Sequence, residues 1–302
     1  MLFDVALPEA RVAALRRHGE RLRLVRGDVQ ALGEMISVIR AEEVEAIVHL
    51  AFVLGGVGNA EPERASRVNV LGTVNALEAA RLTGVPRVIL ASSIAVYGSD
   101  DQYSRRRAAA RRGRRAPRVP DPADLRRRQA LHRAPGPRLR ARTYGLVTGG
   151  LRPSVVYGPG RDSGGSAFLN EVIEKPALGE PVAVGFGDAG ISFVHVEDVA
   201  GQFAALLRCD AGVFAQRRFF NTGGDTATVR ELAAAVGRVV PGARVTVTSN
   251  GEPDLGGLVT RVSDRALEEA VGYKRRLSPL DAGVRAHANA ARARAGLPPL
   301  GG

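Results

Sequence analysis

The chain has one cysteine, two lysines, no tryptophan and no long apolar run in its 302 residues. The single cysteine, Cys209, excludes an intrachain disulfide. It lies in an apolar helical pattern and reads as a buried, inert thiol, which fits a reducing cytoplasm. No apolar stretch approaches the ~18 residues of a membrane span. The opening MLFDVALPEA has neither a basic n-region nor a long apolar core, so no signal peptide is expected. A cytoplasmic protein without membrane partners is the expectation.

Balanced charge is also lacking, but in one place only. From Arg105 to Arg142 there are fifteen arginines against two acids, Asp121 and Asp124. The other 264 residues carry 28 basic and 29 acidic groups, so the formal net charge of +12 is local to this segment. Its five prolines and missing apolar period give it the composition of a linker or disordered segment. Such a segment can bind RNA electrostatically. It has no aromatic residue between Ser104 and Arg142 for base stacking, which argues against nucleic acid as a partner.

On either side, short apolar runs alternate with helical patterns, the signature of a parallel sheet covered by helices. Strands are expected at Leu2–Ala6, Leu22–Val25, Ala46–Leu50, Val88–Ala91, Gly145–Val156, Ser192–Val196, Arg218–Asn221 and Arg244–Val247. Helices are expected at Pro8–His18, Val29–Arg40, Pro62–Leu82, Ala167–Ile173, Glu197–Leu207 and Thr228–Val239, then near 264–270 and 279–294. In the second helix Val29, Leu32, Met35, Ile36 and Ile39 share one face. Ligands of doubly wound sheets bind outside the carboxyl ends of the strands. Here those ends carry Asp4, Asp28, Leu50-Ala51 and Ser92-Ser93. His49 and His195 lie in apolar strands without a clustered partner and read as structural, so no metal is expected.

Nine strings in order carry a family resemblance: LFDV (2–5), RGDV (26–29), VHLAF (48–52), NVLGTVNALEAA (69–80), ASSIAVYG (91–98), LRPSVVYGPG (151–160), SFVHVEDVA (192–200), FNTGG (220–224) and RVSDRALEEAVGY (261–273). Together they resemble the NAD-dependent epimerase/dehydratase branch of the extended short-chain dehydrogenase/reductase superfamily. The resemblance implies an α/β fold, a Rossmann-like doubly wound parallel sheet. It places an NAD-binding domain at 1–160 and a smaller substrate lobe at 161–302, with 190–224 returning to the core sheet. NAD, rather than NADP, is the implied cofactor. A nucleotide-linked sugar is the implied substrate, with dehydrogenation or reduction of another alcohol as the alternative. The helix at 62–82 is the implied surface of a homodimer.

Residue by residue, the resemblance assigns Asp4 to the adenosine ribose, and Asp28 and Val29 to the flanks of the adenine. Leu50 and Ala51 lie along the pyrophosphate-ribose, with Ser92 also on the cofactor side. Ser93 is the implied catalytic serine, hydrogen-bonding the hydroxyl that loses its proton. Pro153 lies near the nicotinamide. Tyr97 and Arg161 face the substrate, Arg161 as a bidentate partner for a phosphate.

Two family parts are missing. The glycine-rich phosphate loop precedes the ribose acid by about 20 residues, and only three residues precede Asp4. The expected fold therefore lacks its first strand, glycine loop and first helix, which leaves strand edges unpaired. The catalytic Tyr-x-x-x-Lys, in which lysine lowers the pKa of a tyrosine base, is absent too. Four residues beyond tyrosines 97, 103, 144, 157 and 273 stand Asp101, Arg107, Thr148, Arg161 and Leu277. Arginine's rigid fork is no substitute for the ammonium.

The arginine segment lies where that pair belongs. Arginine codons of the form CGN, read one base later, begin with GN and encode Gly, Ala, Val, Asp or Glu. Leu125–Ala130 (LRRRQA) permits the coding CTACGGCGCCGCCAAGCG. One base later this reads Tyr-Gly-Ala-Ala-Lys. The expectation is that residues from about 104 to 142 are read out of frame, in a chain that starts late. The nucleotide sequence of the gene tests this: a shifted frame encoding Tyr-x-x-x-Lys is the predicted result, and a single uninterrupted frame without one excludes it.

Overall fold

The computed structural model describes residues 1–15, 19, 21–100, 145–161, 164–251 and 259–301. The arginine segment and its reading-frame explanation lie outside them. The described chain divides into two compact units. The first holds Met1–Ala91, 145–150 and Asp210–Arg218; the second holds 92–100, Leu151–Cys209 and 219–301.

In the first unit, β1 (Leu2–Asp4) pairs in parallel with β2 (Leu24–Arg26) as a two-stranded sheet. Helix α1 (Glu9–Leu15) separates them in sequence. A second sheet pairs β3 (Ala46–His49) in parallel with β4 (Arg87–Ala91). The start of β5 (Val147–Arg152) lies beside β4, with the Val147 N–H on the Pro86 carbonyl at 2.9 Å. Val88, Ile89 and Leu90 of β4 are buried, as a strand covered on both faces requires.

Helix α2 (Leu32–Ala41) buries Met35 and Ile39. It begins three residues later than the expected Val29, because the Asp28 carboxylate accepts the Gln30 N–H at 2.9 Å and turns the chain first. The expected helix at 62–82 is continuous but not uniform. Helix α4 (Pro62–Ser66) passes through a π-turn at Arg67–Leu71 into α5 (Gly72–Thr83). A short α3 (Gly55–Ala60) precedes it and α8 (Gly212–Gln216) closes the unit.

The second unit has the larger core. A three-stranded sheet runs β10 (Asp225–Thr228), β8 (Gly190–His195), β6 (Val155–Tyr157), antiparallel then parallel. The expected single strand at Gly145–Val156 is two strands, β5 and β6. Pro153 has no N–H to continue the ladder, so the chain turns there. A parallel pair joins β7 (Val182–Val184) to β11 (Val245–Val247).

Helices α6 (Phe168–Ala177), α9 (Val229–Val239) and α11 (Leu280–Arg294) cover these strands. They bury Leu169, Ile173, Leu232, Val236, Val284 and Ala288 in one cluster. Thr228 caps α9 through a full capping box with Glu231. The remaining elements are α7 (Val196–Arg208), β9 (Phe219–Asn221) and α10 (Arg265–Val271). Cys209 is not inside a helix: it follows α7, half-buried, with Sγ 3.3 Å from the Leu206 carbonyl. Among the described residues no helix is long and apolar enough to cross a membrane.

His195 ends β8 and caps α7, its Nδ1 accepting the Glu197 N–H at 3.3 Å. Burial, then the neighbouring His287, pushes its pKa down to about 4, against the pull of Asp198. The unfolded ring titrates near 6.5. Its contribution to stability is therefore complete above pH 6.5 and is lost as pH falls toward 4, because only the unfolded chain takes up the proton. The slope in that window is about 1.4 kcal/mol per pH unit. His195→Asn keeps a capping acceptor and removes the titration. Denaturant melts from pH 7 to pH 4 are predicted to show a flatter decline for the variant; an unchanged decline excludes the assignment.

Candidate functional site

The residues expected around the adenosine lie at the carboxyl ends of β1 and β2. Those strands are in register, Asp4 opposite Arg26, and the Gly27 N–H donates to the Asp4 carbonyl at 3.0 Å. The Asp4 Oδ1 accepts the Ala6 N–H at 3.0 Å. The Asp28 carboxylate is held by the Gln30 side-chain amide at 2.9 and 3.2 Å. Val29 packs on Gly72 of α5, where an added Cβ would meet Val29 Cγ2 at 2.7 Å, so only glycine allows this approach. Leu50 is 58% exposed beyond β3, with Ala51 half-buried.

Two buried asparagines hold these loops. Asn75 Nδ2 donates to the Val29 and Gln30 carbonyls, both at 2.9 Å. Asn69, in the π-turn, accepts the Val53 N–H at 2.7 Å and donates to the Val53 carbonyl at 3.1 Å. Thr73 donates to the Asn69 carbonyl, so His49 Nε2, 3.2 Å from Thr73 Oγ1, is the donor in that pair. His49 is thus a structural residue at the end of β3. The signal for the asparagines was present in NVLGTVNALEAA: two amides on an otherwise apolar helix face need partners.

In the second unit, Ser92, Ser93, Tyr97 and Pro153 come together. The Ser92 N–H donates to Leu151 O at 2.8 Å and the Ile94 N–H to Pro153 O at 3.1 Å, so Ser93 lies beside Pro153. Ser93 caps the 3-10 turn Ile94–Tyr97, its Oγ accepting the Ala95 N–H at 3.1 Å. Tyr97 does not end free: its hydroxyl donates to Asn221 Oδ1 at 2.9 Å and accepts from Arg152 Nη1 at 3.2 Å. The Arg152 guanidinium also lies over the Tyr97 and Phe219 rings, at 5.6 and 5.2 Å from their centroids.

Beneath this layer is a buried polar network. Thr222 Oγ1 accepts the Ser154 N–H at 2.9 Å and donates to the Gly223 carbonyl at 3.1 Å. The Thr222 N–H donates to Arg152 O at 3.2 Å, and its carbonyl accepts from Gln202 Nε2 at 2.9 Å. Ser192 Oγ donates to Ser154 Oγ at 3.2 Å. Arg152, Asn221 and Thr222 were within the quoted strings LRPSVVYGPG and FNTGG, but a linear string does not show which polar groups meet.

Arg161 is half-buried after β6, and its carbonyl accepts Asn170 Nδ2 at 2.7 Å. Burial lowers its pKa, and arginine remains charged. One G-x-G-x-x-G spacing occurs among the described residues, at 185–190 between β7 and β8. It opens no helix. Its Gly187 and Ala189 carbonyls instead accept the N–H groups of Arg230 and Val229 at 2.8 and 3.2 Å, filling the start of α9 that a phosphate would need. No cluster of three metal-ligating side chains occurs among the described residues.

The sequence profile of the NAD dependent epimerase/dehydratase family matches residues 5–219. The chain belongs to that family. It is 27% identical over 250 residues to a UDP-glucose 4-epimerase of Mycolicibacterium smegmatis, covering 79% of this chain and 74% of that protein. Its fold is similar to that of the Thermus thermophilus UDP-glucose 4-epimerase complex with NAD, with a TM-score of 0.72 and 24% identity over 90% of this chain and 86% of that one. It is similar as well to L-threonine 3-dehydrogenase from Trypanosoma brucei, with a TM-score of 0.77 at 16% identity over 99% and 98% of the chains. The parallel sheet covered by helices that the strand and helix pattern predicts, and the Rossmann-like α/β class that the resemblance implies, agree with both.

Proposed function

We propose that the chain is built for NAD-dependent oxidoreduction of a nucleotide-linked sugar, of the epimerase or dehydratase kind, and does not turn over in the form written here. The observation that carries the first half is the collection of Ser92, Ser93, Pro153 and Tyr97 where β4 and β5 end. The Ser93 oxygen already accepts from Ala95, so its O–H is left to donate to a substrate oxygen. Arg161, half-buried beside Asn170, supports a phosphate-bearing substrate. The similarity to a UDP-glucose 4-epimerase, 27% identical over 250 residues, favours a sugar over a simple alcohol.

The described residues fit NAD in part. Asp4 keeps Oδ2 for a ribose hydroxyl while Oδ1 is engaged by Ala6, and Val29 and Leu50 offer apolar surface nearby in sequence to Asp28 and Ala51. The one G-x-G-x-x-G turn among them, at 185–190, offers a pyrophosphate no cradle, since it presents carbonyls to its helix. The family's Tyr-x-x-x-Lys pair does not occur in the sequence, because no tyrosine is followed four residues later by lysine. Calorimetric titration with NAD is the test. No measurable binding is predicted; a micromolar dissociation constant contradicts the reading and points to a rebuilt phosphate site.

A further inference from the structure

Tyr157, His195 and His287 are each at least 98% buried in the second unit, and each has a polar atom without a hydrogen-bond partner. These atoms are Tyr157 Oη, His195 Nε2 and His287 Nδ1. The three rings adjoin: Tyr157 stands 5.2 Å from His195, nearly perpendicular, and 6.5 Å from His287, centroid to centroid. Gly283 brings the backbone of α11 against the phenol, since an added Cβ would lie 1.9 Å from Tyr157 Oη. A buried polar group without a partner is costly, and three on adjoining rings call for a common explanation.

The hydrogen bonds these rings make fix what each atom offers. His195 Nδ1 accepts the Glu197 N–H, so the neutral ring carries its proton on Nε2. His287 Nε2 is 2.8 Å from Glu174 Oε1, which also pairs with Arg294 at 2.6 Å. Burial pushes the Glu174 carboxyl up, but hydrogen bonds from His287 and Arg294 outweigh it and keep it ionised. An ionised carboxylate only accepts, so His287 Nε2 is the donor and Nδ1 of the neutral ring holds a lone pair. Burial, partly offset by Glu174, favours that neutral form. Burial, then Asp225 and Asp198, pushes the Tyr157 phenol up, so it stays an O–H.

We infer that Tyr157 Oη, His195 Nε2 and His287 Nδ1 together form a binding site for one internal water molecule. The water accepts from His195 Nε2–H and from the Tyr157 O–H, and donates to His287 Nδ1. Three bonds are the usual number for a buried water. The site joins β6, the end of β8 that caps α7, and α11, three elements that share no direct side-chain bond at this point.

A crystal structure of the full chain at about 1.5 Å resolution, grown near pH 7, tests it. The expected result is one water within about 3.2 Å of all three atoms. No density there, with Tyr157 Oη bonded directly to either ring or His195 Nε2–H aimed at the phenol face, overturns the site. Long-range ¹H–¹⁵N spectra of the imidazoles give a second readout in solution. Both rings are expected as the Nε2–H tautomer; a proton on His287 Nδ1 contradicts the bonding pattern. The spectrum of Tyr157→Phe separates a site from simple packing: loss of the phenol is expected to shift the His287 Nδ1 resonance without changing the tautomer, and an unmoved resonance counts against a shared water.

Discussion

Thr222 is fully buried and bonded through its hydroxyl, its amide and its carbonyl. Through these it ties the end of β5, the start of β6 and the helix α7 to the exit of β9. The layer formed by Ser92, Ser93, Tyr97 and Pro153 rests on that arrangement. Arg152, whose carbonyl takes the Thr222 N–H, reaches from it to Tyr97. Pro153, next in sequence, accepts from Ile94 and so sets Ser93 beside itself. A hydroxyl in this position acts as both donor and acceptor, which an apolar residue of the same shape cannot.

The loops at the exits of β2 and β3 follow the same logic in the first unit. Asn69 and Asn75 reach from one helix to the backbone at the exits of β3 and β2, using the amide as a two-sided clamp. Loops at strand ends have unpaired backbone groups, and a buried side chain that pairs them fixes the loop's shape. The chain belongs to the NAD dependent epimerase/dehydratase family and shares the fold of an epimerase and a dehydrogenase. The chemistry asks for more than a scaffold, and a tyrosine base with its lysine is not in the sequence.

Much of the fold was legible because periodicity is local. The helix at 62–82, the capped α9 and the strand β4 follow from apolar spacing alone. The single strand expected at Gly145–Val156 divides because Pro153 lacks an N–H, a consequence visible in the residue but not in the apolar pattern. The π-turn at Arg67–Leu71 leaves no periodic trace, since a single extra residue per turn shifts one register only. Ser93, Asp4 and Asp28 stand at strand ends in their strings, and the structure places them there. Arg152, Asn221 and Thr222 were not legible in theirs, because their partners lie up to 124 residues away and only folding brings them together; the two asparagines stand out on their helix face, but the backbone groups they meet do not. Tyr97 shows the same limit: its string marked it, while its hydroxyl turned out to be engaged by Asn221 and Arg152.

The dependence on Thr222 is open to direct measurement by replacing it with valine, which keeps the shape and removes the hydroxyl. The Ser154 N–H then loses its acceptor in a buried place, at a cost of about 1–3 kcal/mol. Hydrogen exchange at the Ser154 amide, read together with denaturant unfolding of wild type, Thr222→Val and Thr222→Ser, decides the matter. The account predicts faster exchange and lower stability in Thr222→Val, with Thr222→Ser close to wild type. Equal stability and equal Ser154 protection in all three proteins would contradict it.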